Sequence, residues 1–334
     1  MTTGKGFEGI LGVVKEGSWG SPLAVTKAIP FVSESLSRTI EKHIDDVLRG
    51  KAGRGPSVAG NRTFFLTIPC KLTYEGLDLL IAITMGAAGV PVMNGALYNN
   101  TYSLAENLDY SVTAAIYKGV SVWEYAGGKI QTMKISGSAN KPLDIEFGVA
   151  FKDLDLASAI NTAGILQALD TEDAAPKIMF SDLEFKIAAQ ATALASGTEK
   201  GIESFELTMD NGMIINQFDN RAKTILEPQR DGYRKVDLNF NLGRYEDNVY
   251  QDWHNDDEAL HAWLKFVNGN YLFDMHFPQL TIDNPDAPVD GPGLIKQKVP
   301  CVAYRDPASA SASFTETDEM EIAVTNGIST NPLA

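Results

Sequence analysis

The chain has two cysteines in 334 residues, too few for a disulfide framework. Cys70 falls on the inward phase of an alternating apolar run, so Cys70 and Cys301 are expected to be reduced packing residues. Long apolar runs are missing as well. None approaches the roughly 18 residues that cross a bilayer, and MTTGKGFEG carries no apolar stretch of a secretion signal. Synthesis in the cytoplasm, without membrane insertion, is the expectation. Basic residues are scarce, 28 against 43 acidic ones for a formal net charge of −15. The chain as a whole therefore repels nucleic acid and does not grip it.

Signatures of chemistry are equally thin. Gly4-Lys5-Gly6-Phe7-Glu8-Gly9 fits GxGxxG, but only three residues precede it. A pyrophosphate site needs a strand there to aim the turn, so a flexible terminus is expected. No GxxxxGK[ST] loop, GxSxG elbow or Cys/His nucleophile pattern occurs. His254, Asp256, Asp257, Glu258 and His261 are dense, yet the two histidines fit no HExxH spacing and helix capping accounts for the carboxylates. His43 and His276 stand alone in sequence. DNPDAPVDGPG, at 283–293, lacks the order of a calcium loop and is crowded with proline, which predicts a rigid turn. No catalytic residue, cofactor or metal ligand is predicted, and the chain does not read as an enzyme.

What is present is repetition. Residues 60–86 and 232–269 both run from Gly-x-Arg into a two-residue apolar alternation, a polar spacer and a helix-period stripe closed by glycine. Phe64, Leu66, Ile68 and Cys70 pair with Val236, Leu238, Phe240 and Leu242 at a constant offset of 172, flanked by Arg62 and Arg234. This pattern predicts a duplicated unit. The acidic, Pro-containing junction 170–177 sets the boundary, giving units 1–172 and 173–334.

Each unit is predicted to be mainly β with one helix. In the first, strands are expected at 28–36, 62–72, 110–117, 129–136 and 143–151, a long mobile loop at 37–60, and a helix at 74–85 with Leu77, Leu80, Ile81 and Met85 inward. Pro69 suits an edge or bulge of its strand. In the second, strands are expected at 178–189, 202–210, 234–243, 272–282, 299–304 and 320–325. A second helix is predicted after Asn255, with Glu258 as capping-box partner, Leu260, Trp263, Leu264 and Val267 buried, and Gly269 at its end.

Charge is unevenly placed. Residues 38–62 hold Arg38, Lys42, Arg49, Lys51, Arg54 and Arg62 against Glu41, Asp45 and Asp46, a local balance of +3. Beyond Arg305 there is no Lys or Arg, only Asp306, Glu316, Asp318, Glu319 and Glu321. Two similar units present similar surfaces twice, which suits an assembly better than a single pocket.

Trp19-Gly20-Ser21, Ser33-Glu34-Ser35-Leu36, Leu48-Arg49-Gly50, the alternating strand, Gly76-Leu77-Asp78-Leu79-Leu80 and Gly86 form an ordered set. Tyr125 with Gly128-Lys129, and Phe205-x-Leu-x-Met-Asp-Asn-Gly, extend it across nearly the whole chain. The set resembles the tail tube proteins of long-tailed, siphovirus-like bacteriophages. The resemblance implies two tandem tail-tube-like β-sandwich or barrel domains that oligomerise into a ring with a continuous inner β-barrel. Such rings stack into a tube of the virion tail, through which genomic DNA leaves for the host. Implied partners are other copies of the chain and the tape measure, tail terminator and tail tip proteins, while double-stranded DNA passes without specific binding. Rings of six domains imply a pseudo-sixfold trimer here, with a hexamer of chains as the alternative. Arg38, Lys42, Arg49, Lys51 and Arg54 are then expected to meet Glu316, Asp318 and Glu319 between rings. The competing expectation is a soluble carbohydrate-binding β-sandwich module, with Trp19, Trp123, Trp253 or Trp263 on an exposed aromatic face.

Overall fold

Apolar side chains recur at every second residue along most of the chain, and backbone with that periodicity buries one face by forming sheet. The computed structural model describes residues 3–44, 55–172, 175–197, 199–289 and 291–334. The first half supplies β1 (Ile10–Lys15), β2 (Lys27–Ile29), β3 (Ser35–His43), β4 (Val58–Lys71) and helix α1 (Asp78–Met85). There follow β5 (Gly86–Ala88), β6 (Val92–Asn94), β7 (Leu97–Leu104), β8 (Val112–Tyr117), β9 (Val122–Ser138), β10 (Asp144–Phe151), β11 (Asp153–Asp155) and the short α2 (Ala163–Gln167). The second half supplies β12 (Leu183–Ala189), β13 (Ser204–Asp210), β14 (Met213–Ile214), β15 (Gln229–Arg230) and β16 (Lys235–Leu242). It continues with helix α3 (Val249–Asn255), β17 (Leu260–Asn268), β18 (Tyr271–Ile282), β19 (Gln297–Ala303) and β20 (Glu321–Asn326).

The order of pairing repeats. In the first half β1, β8, β9, β10, β4 and β3 lie side by side, each antiparallel to the next. In the second half β12, β17, β18, β19, β16 and β13 do the same. β11 then returns to β9 just as β20 returns to β18. The segment β5 to β7 interrupts this parallel, since it lies between α1 and β8 and has no described counterpart between α3 and β17.

Alternation decides what goes inside. Ile145, Phe147, Val149 and Phe151 point into the core from β10, with Leu143 buried just before it, as Phe205, Leu207 and Met209 do from β13. Phe64, Leu66, Ile68 and Cys70 are buried, and so are their counterparts Val236, Leu238 and Phe240; Leu242 is only half-buried. Residues of both halves belong to one apolar cluster. Cys70 and Cys301 are free thiols inside it, and burial pushes each up to about 12. All eight residues of α1 are buried, as expected of a helix apolar nearly all round. It ends where Gly86 takes φ 90°, and the Gly86 N–H closes on the Ala82 carbonyl.

Four expectations need correction. The second helix is not where the sequence places it: Leu260–Asn268 is the strand β17, whose Leu260, Ala262, Leu264 and Phe266 face the core while Val267 is exposed. Its position between β12 and β18 supplies a ladder on both sides, which outweighs the helical spacing of Leu260, Trp263, Leu264 and Val267. The helix of that region is α3, inside the expected polar spacer, and Asn255 is its last residue, not its cap. The expected loop 37–60 is also narrower. Residues 37–43 and 58–60 are strand, paired across β3 and β4, and 45–54 lie outside the described residues. The first half holds two helices and not one, because α2 precedes the junction. Pro69 lies opposite Glu146 of β10, not at an edge; on its other side, past the end of β3, Val32 donates to its carbonyl at 2.9 Å and the proline has no N–H to return.

His261, on β17, is fully buried, with Nε2 2.7 Å from the Thr192 carbonyl and Nδ1 2.7 Å from Ser311 Oγ. A neutral ring satisfies both, Nε2–H donating to the carbonyl and Nδ1 accepting from the hydroxyl. Burial holds its pKa below the ordinary 6.5. Below that pH the unfolded chain takes up a proton that the folded chain refuses, so stability falls as pH falls. Urea denaturation at neutral pH and near pH 5 is expected to show a smaller acid-induced loss for His261→Gln than for the wild type, from a lower starting stability. An equal loss in both proteins would remove His261 from the account.

Candidate assembly interface

The two halves meet along strand edges. β9 continues past β8 to pair with β13, Ile135 opposite Leu207 and Gly137 opposite Phe205. β20 lies between β18 and β7, Ala323 opposite Asp274 on one side and Thr101 on the other. Side chains reinforce both joins. Asn326 accepts from Asn100 at 2.9 Å and donates to Asp78 at 2.8 Å, and Tyr102 donates to the same carboxylate at 2.9 Å. Asn211 donates to the carbonyls of Thr84 and Ile130, each at 3.1 Å. Arg230 and Arg234 donate to the carbonyls of Glu106 and Ala105, at 2.7 Å and 3.1 Å.

By the repeated strand order, β13 corresponds to β3. β13 is covered by β9, whereas β3 pairs with β4 alone among the described residues, and most of it is exposed. Its outer backbone row is therefore an uncovered edge. A second margin lies at 283–289, the continuation of β18. Asp283 donates to the Pro300 carbonyl at 3.0 Å, and Asp286 and Lys298 exchange hydrogen bonds at 2.9 Å and 2.8 Å. Pro285 and Pro288 thin the donors of this margin, a common restraint on exposed edges.

The sheet joining β3, β4, β10, β9, β13, β16 and β19 buries one face and turns the other outward. That outward face is polar and of mixed sign, not uniformly acidic. Lys71 pairs with Asp144, Lys134 with Glu206 at 2.8 Å and Lys235 with Asp237 at 2.9 Å. A groove lined by Ser136, Lys141, Asp144, Glu206, Asn239 and Lys298 crosses the β9–β13 join on this face.

The charged residues singled out from sequence are dispersed. Arg38 lies on β3 with its guanidinium 5.9 Å from the centre of the Phe64 ring, and Lys42 is exposed farther along the strand. Arg49, Lys51 and Arg54 lie outside the described residues. The three acids have partners within the chain. Glu319 accepts from Arg234 at 2.7 Å, both being largely buried, and Glu316 lies 3.4 Å from His276. Asp318 lies 3.8 Å from Arg305, and burial raises its pKa above the ordinary value.

Other candidates separate in space. His254 contacts the Ile282 carbonyl at 2.8 Å and His261 is interior, while Asp256 and Asp257 are exposed. The four tryptophans form no common exposed face. Each is half-buried, with Lys152 over Trp19 at 4.6 Å, Lys118 over Trp123 at 3.8 Å, Lys186 over Trp263 at 5.4 Å and Tyr250 against Trp253 at 5.6 Å. What sequence reasoning missed is the pair of uncovered edges, which no residue type announces; the repeat offset of 172 was the signal that could have located them.

Gly137 marks how tightly the β9–β13 join is packed. A Cβ there would meet Leu143 and lie 2.8 Å from both Phe180 and Phe205. Gly137→Ala is expected to destabilise the chain by about 1–3 kcal/mol, as overpacked cores do. A lowered urea midpoint with an unchanged far-ultraviolet CD spectrum would show it.

A family model described as phage tail tube protein matches residues 6–315 of the chain. No curated protein matches it.

Proposed function

This chain belongs to the phage tail tube protein family, and we propose that it closes rings by seating the β3 edge of one copy on the 283–289 margin of the next. Its role is structural, in the tube of a virion tail. In this reading the two halves are tandem tail-tube-like domains, and three chains supply the six domains of a ring with a continuous inner β-barrel. Stacked rings form the conduit through which DNA passes from capsid to host, bounded by tape measure, terminator and tip proteins. A hexamer of chains is the competing stoichiometry.

The observation that carries the reading is the repeated strand order, with one equivalent edge covered and the other bare. The β9–β13 join inside the chain then serves as the pattern for the join between chains. Thr208 lies opposite Lys134 in that join. Thr208 pairs with Asp237, as Ser37 pairs with Phe65, and those partners differ by the repeat offset. Lys134 pairs with Glu146 and through it with Pro69, whose repeat counterpart Asn241 pairs with Lys298 and through it with Asp286. Ser37 of one copy therefore falls opposite Asp286 of the next. A head-to-tail contact of this kind either closes a ring or runs on as a filament.

The polar outward face of the inner sheet would line the bore. Three of its lysines, Lys71, Lys134 and Lys235, are paired with neighbouring carboxylates, which weakens their hold on phosphate as DNA slides. Between rings, the basic arm carrying Arg38, Lys42, Arg49, Lys51 and Arg54 is the proposed contact, with Glu316, Asp318 and Glu319 as its proposed acidic counterpart. The internal partners of those acids limit what they offer a neighbour.

Both exposed positions can be tested directly. The Ser37→Cys, Asp286→Cys double variant is expected to form interchain disulfides on oxidation, giving bands up to about three times the 36.2 kDa chain on non-reducing gels. Neither single variant should do so, because Cys70 and Cys301 are buried. Hollow rings or tubes in negative-stain micrographs with no such cross-link would move the join elsewhere, and monodisperse single chains would reject ring formation. Reversing the charge of Arg49, Lys51 and Arg54 together is expected to shorten tubes at low salt; unchanged length would reject electrostatic stacking.

A further inference from the structure

The segment 306–320 crosses back over β18 and brings together groups that are far apart in sequence. Phe314 stacks on His276, ring centres 4.7 Å apart and planes inclined by 26°, and also meets His261 and Trp263 edge-on. His276 stands opposite Glu321 in the β18–β20 ladder. One donor atom each from His276, Glu316 and Glu321 lies within 4.8 Å of the others, at half-buried positions. Asp274, two residues before His276 on the same face of β18, places Oδ2 3.0 Å from Nε2.

The imidazole thus has a different carboxylate at each nitrogen, and the two contacts are not alike. At 3.0 Å the Asp274 contact is an ordinary hydrogen bond, accepting Nε2–H and fixing the tautomer that turns the Nδ1 lone pair toward the glutamates. The separation of Nδ1 from Glu316 Oε1, 3.4 Å, is long for a hydrogen bond. It is about the edge of a tetrahedron whose corners lie roughly 2.1 Å from a central ion. Asp274 supplies an independent pointer: it is more than nine-tenths buried, and its Oδ1 has no hydrogen-bond partner among the described residues. A buried carboxylate held against the far nitrogen of an imidazole is the usual companion of a metal-binding histidine.

We propose that His276 Nδ1, Glu316 and Glu321 bind one divalent transition-metal cation, with Asp274 orienting the histidine. One nitrogen and two carboxylates at this spacing suit zinc, and the set is too small for the six to eight oxygens that calcium takes. The three ligands come from β18, from the returning segment and from the start of β20. A bound ion would therefore clamp the returning segment to the strand that joins the two halves.

The test uses the full chain, stripped with EDTA and titrated with Zn2+ by calorimetry. One ion per chain is expected, with affinity reduced at least 100-fold in the Glu316→Gln, Glu321→Gln double variant and about tenfold in Asp274→Asn, the range typical of residues behind a ligand. Co2+ should give the intense visible bands of a four-coordinate site, and Mg2+ and Ca2+ should give no comparable heat. Far-ultraviolet CD establishes that each variant is folded; should the double variant not fold, Asp274→Asn decides. The proposal is overturned by no stoichiometric zinc on the folded wild type, by binding that the substitutions leave unchanged, or by preference for calcium. Ring formation is read separately, so either idea can fail alone.

Discussion

A strand with a neighbour on one side only presents a row of N–H and C=O groups that must find partners or stay in water. This constraint orders the whole molecule. β13 meets it with β9, and β20 meets it with β7, so the two halves share one sheet and one apolar cluster. Among the described residues β3 pairs with β4 alone, and the margin at 283–289 with β19 alone. These two margins are, among the described residues, the opposite ends of the sheet that joins the halves. A head-to-tail neighbour would complete that pair without any new kind of contact.

The second organising element is the returning segment, residues 305–320, which has little regular structure yet is strongly anchored. Arg234 and Glu319 form a largely buried ion pair, and losing one partner of such a pair typically costs about 3–5 kcal/mol. Ser311 Oγ accepts from the Phe314 N–H at 3.1 Å while its own hydroxyl serves His261. Phe314 covers both histidines. The acidic character visible in this stretch is therefore mostly a matter of internal pairing. Its surface charge is smaller than its composition suggests.

Much of the fold was legible because burial in a sheet writes itself as alternation. The strands 143–151 and 202–210 could be read within two residues, as could the offset that relates β4 to β16. The failure at 260–268 is instructive. Leu260, Trp263 and Leu264 fit a helix, Leu260, Ala262, Leu264 and Phe266 fit a strand, and only the flanking β12 and β18 decide between them. Flanking strands are long-range information that a local pattern does not hold. The candidate interface was legible in its logic, two similar units in one chain, but not in its residues. Charged side chains drew attention, whereas the groups left open are backbone amides and carbonyls on β3. His276 looked isolated because its partners Glu316 and Glu321 arrive from a distant segment.

The join between β7 and β20 has a temporal side. Asn100 and Asn326 lie 226 residues apart in sequence yet are hydrogen-bonded in the core. During synthesis β7 must wait, without its neighbour, until almost the entire polypeptide has left the ribosome. Contacts of such long range are slow to form, because loop closure is charged before any packing repays it. A chain that stops short of β20 therefore lacks the finished sheet, and the 283–289 margin is complete only once β19 has formed beside it. On the proposed ring contact, a chain would offer both of its margins only after most of its length had been made.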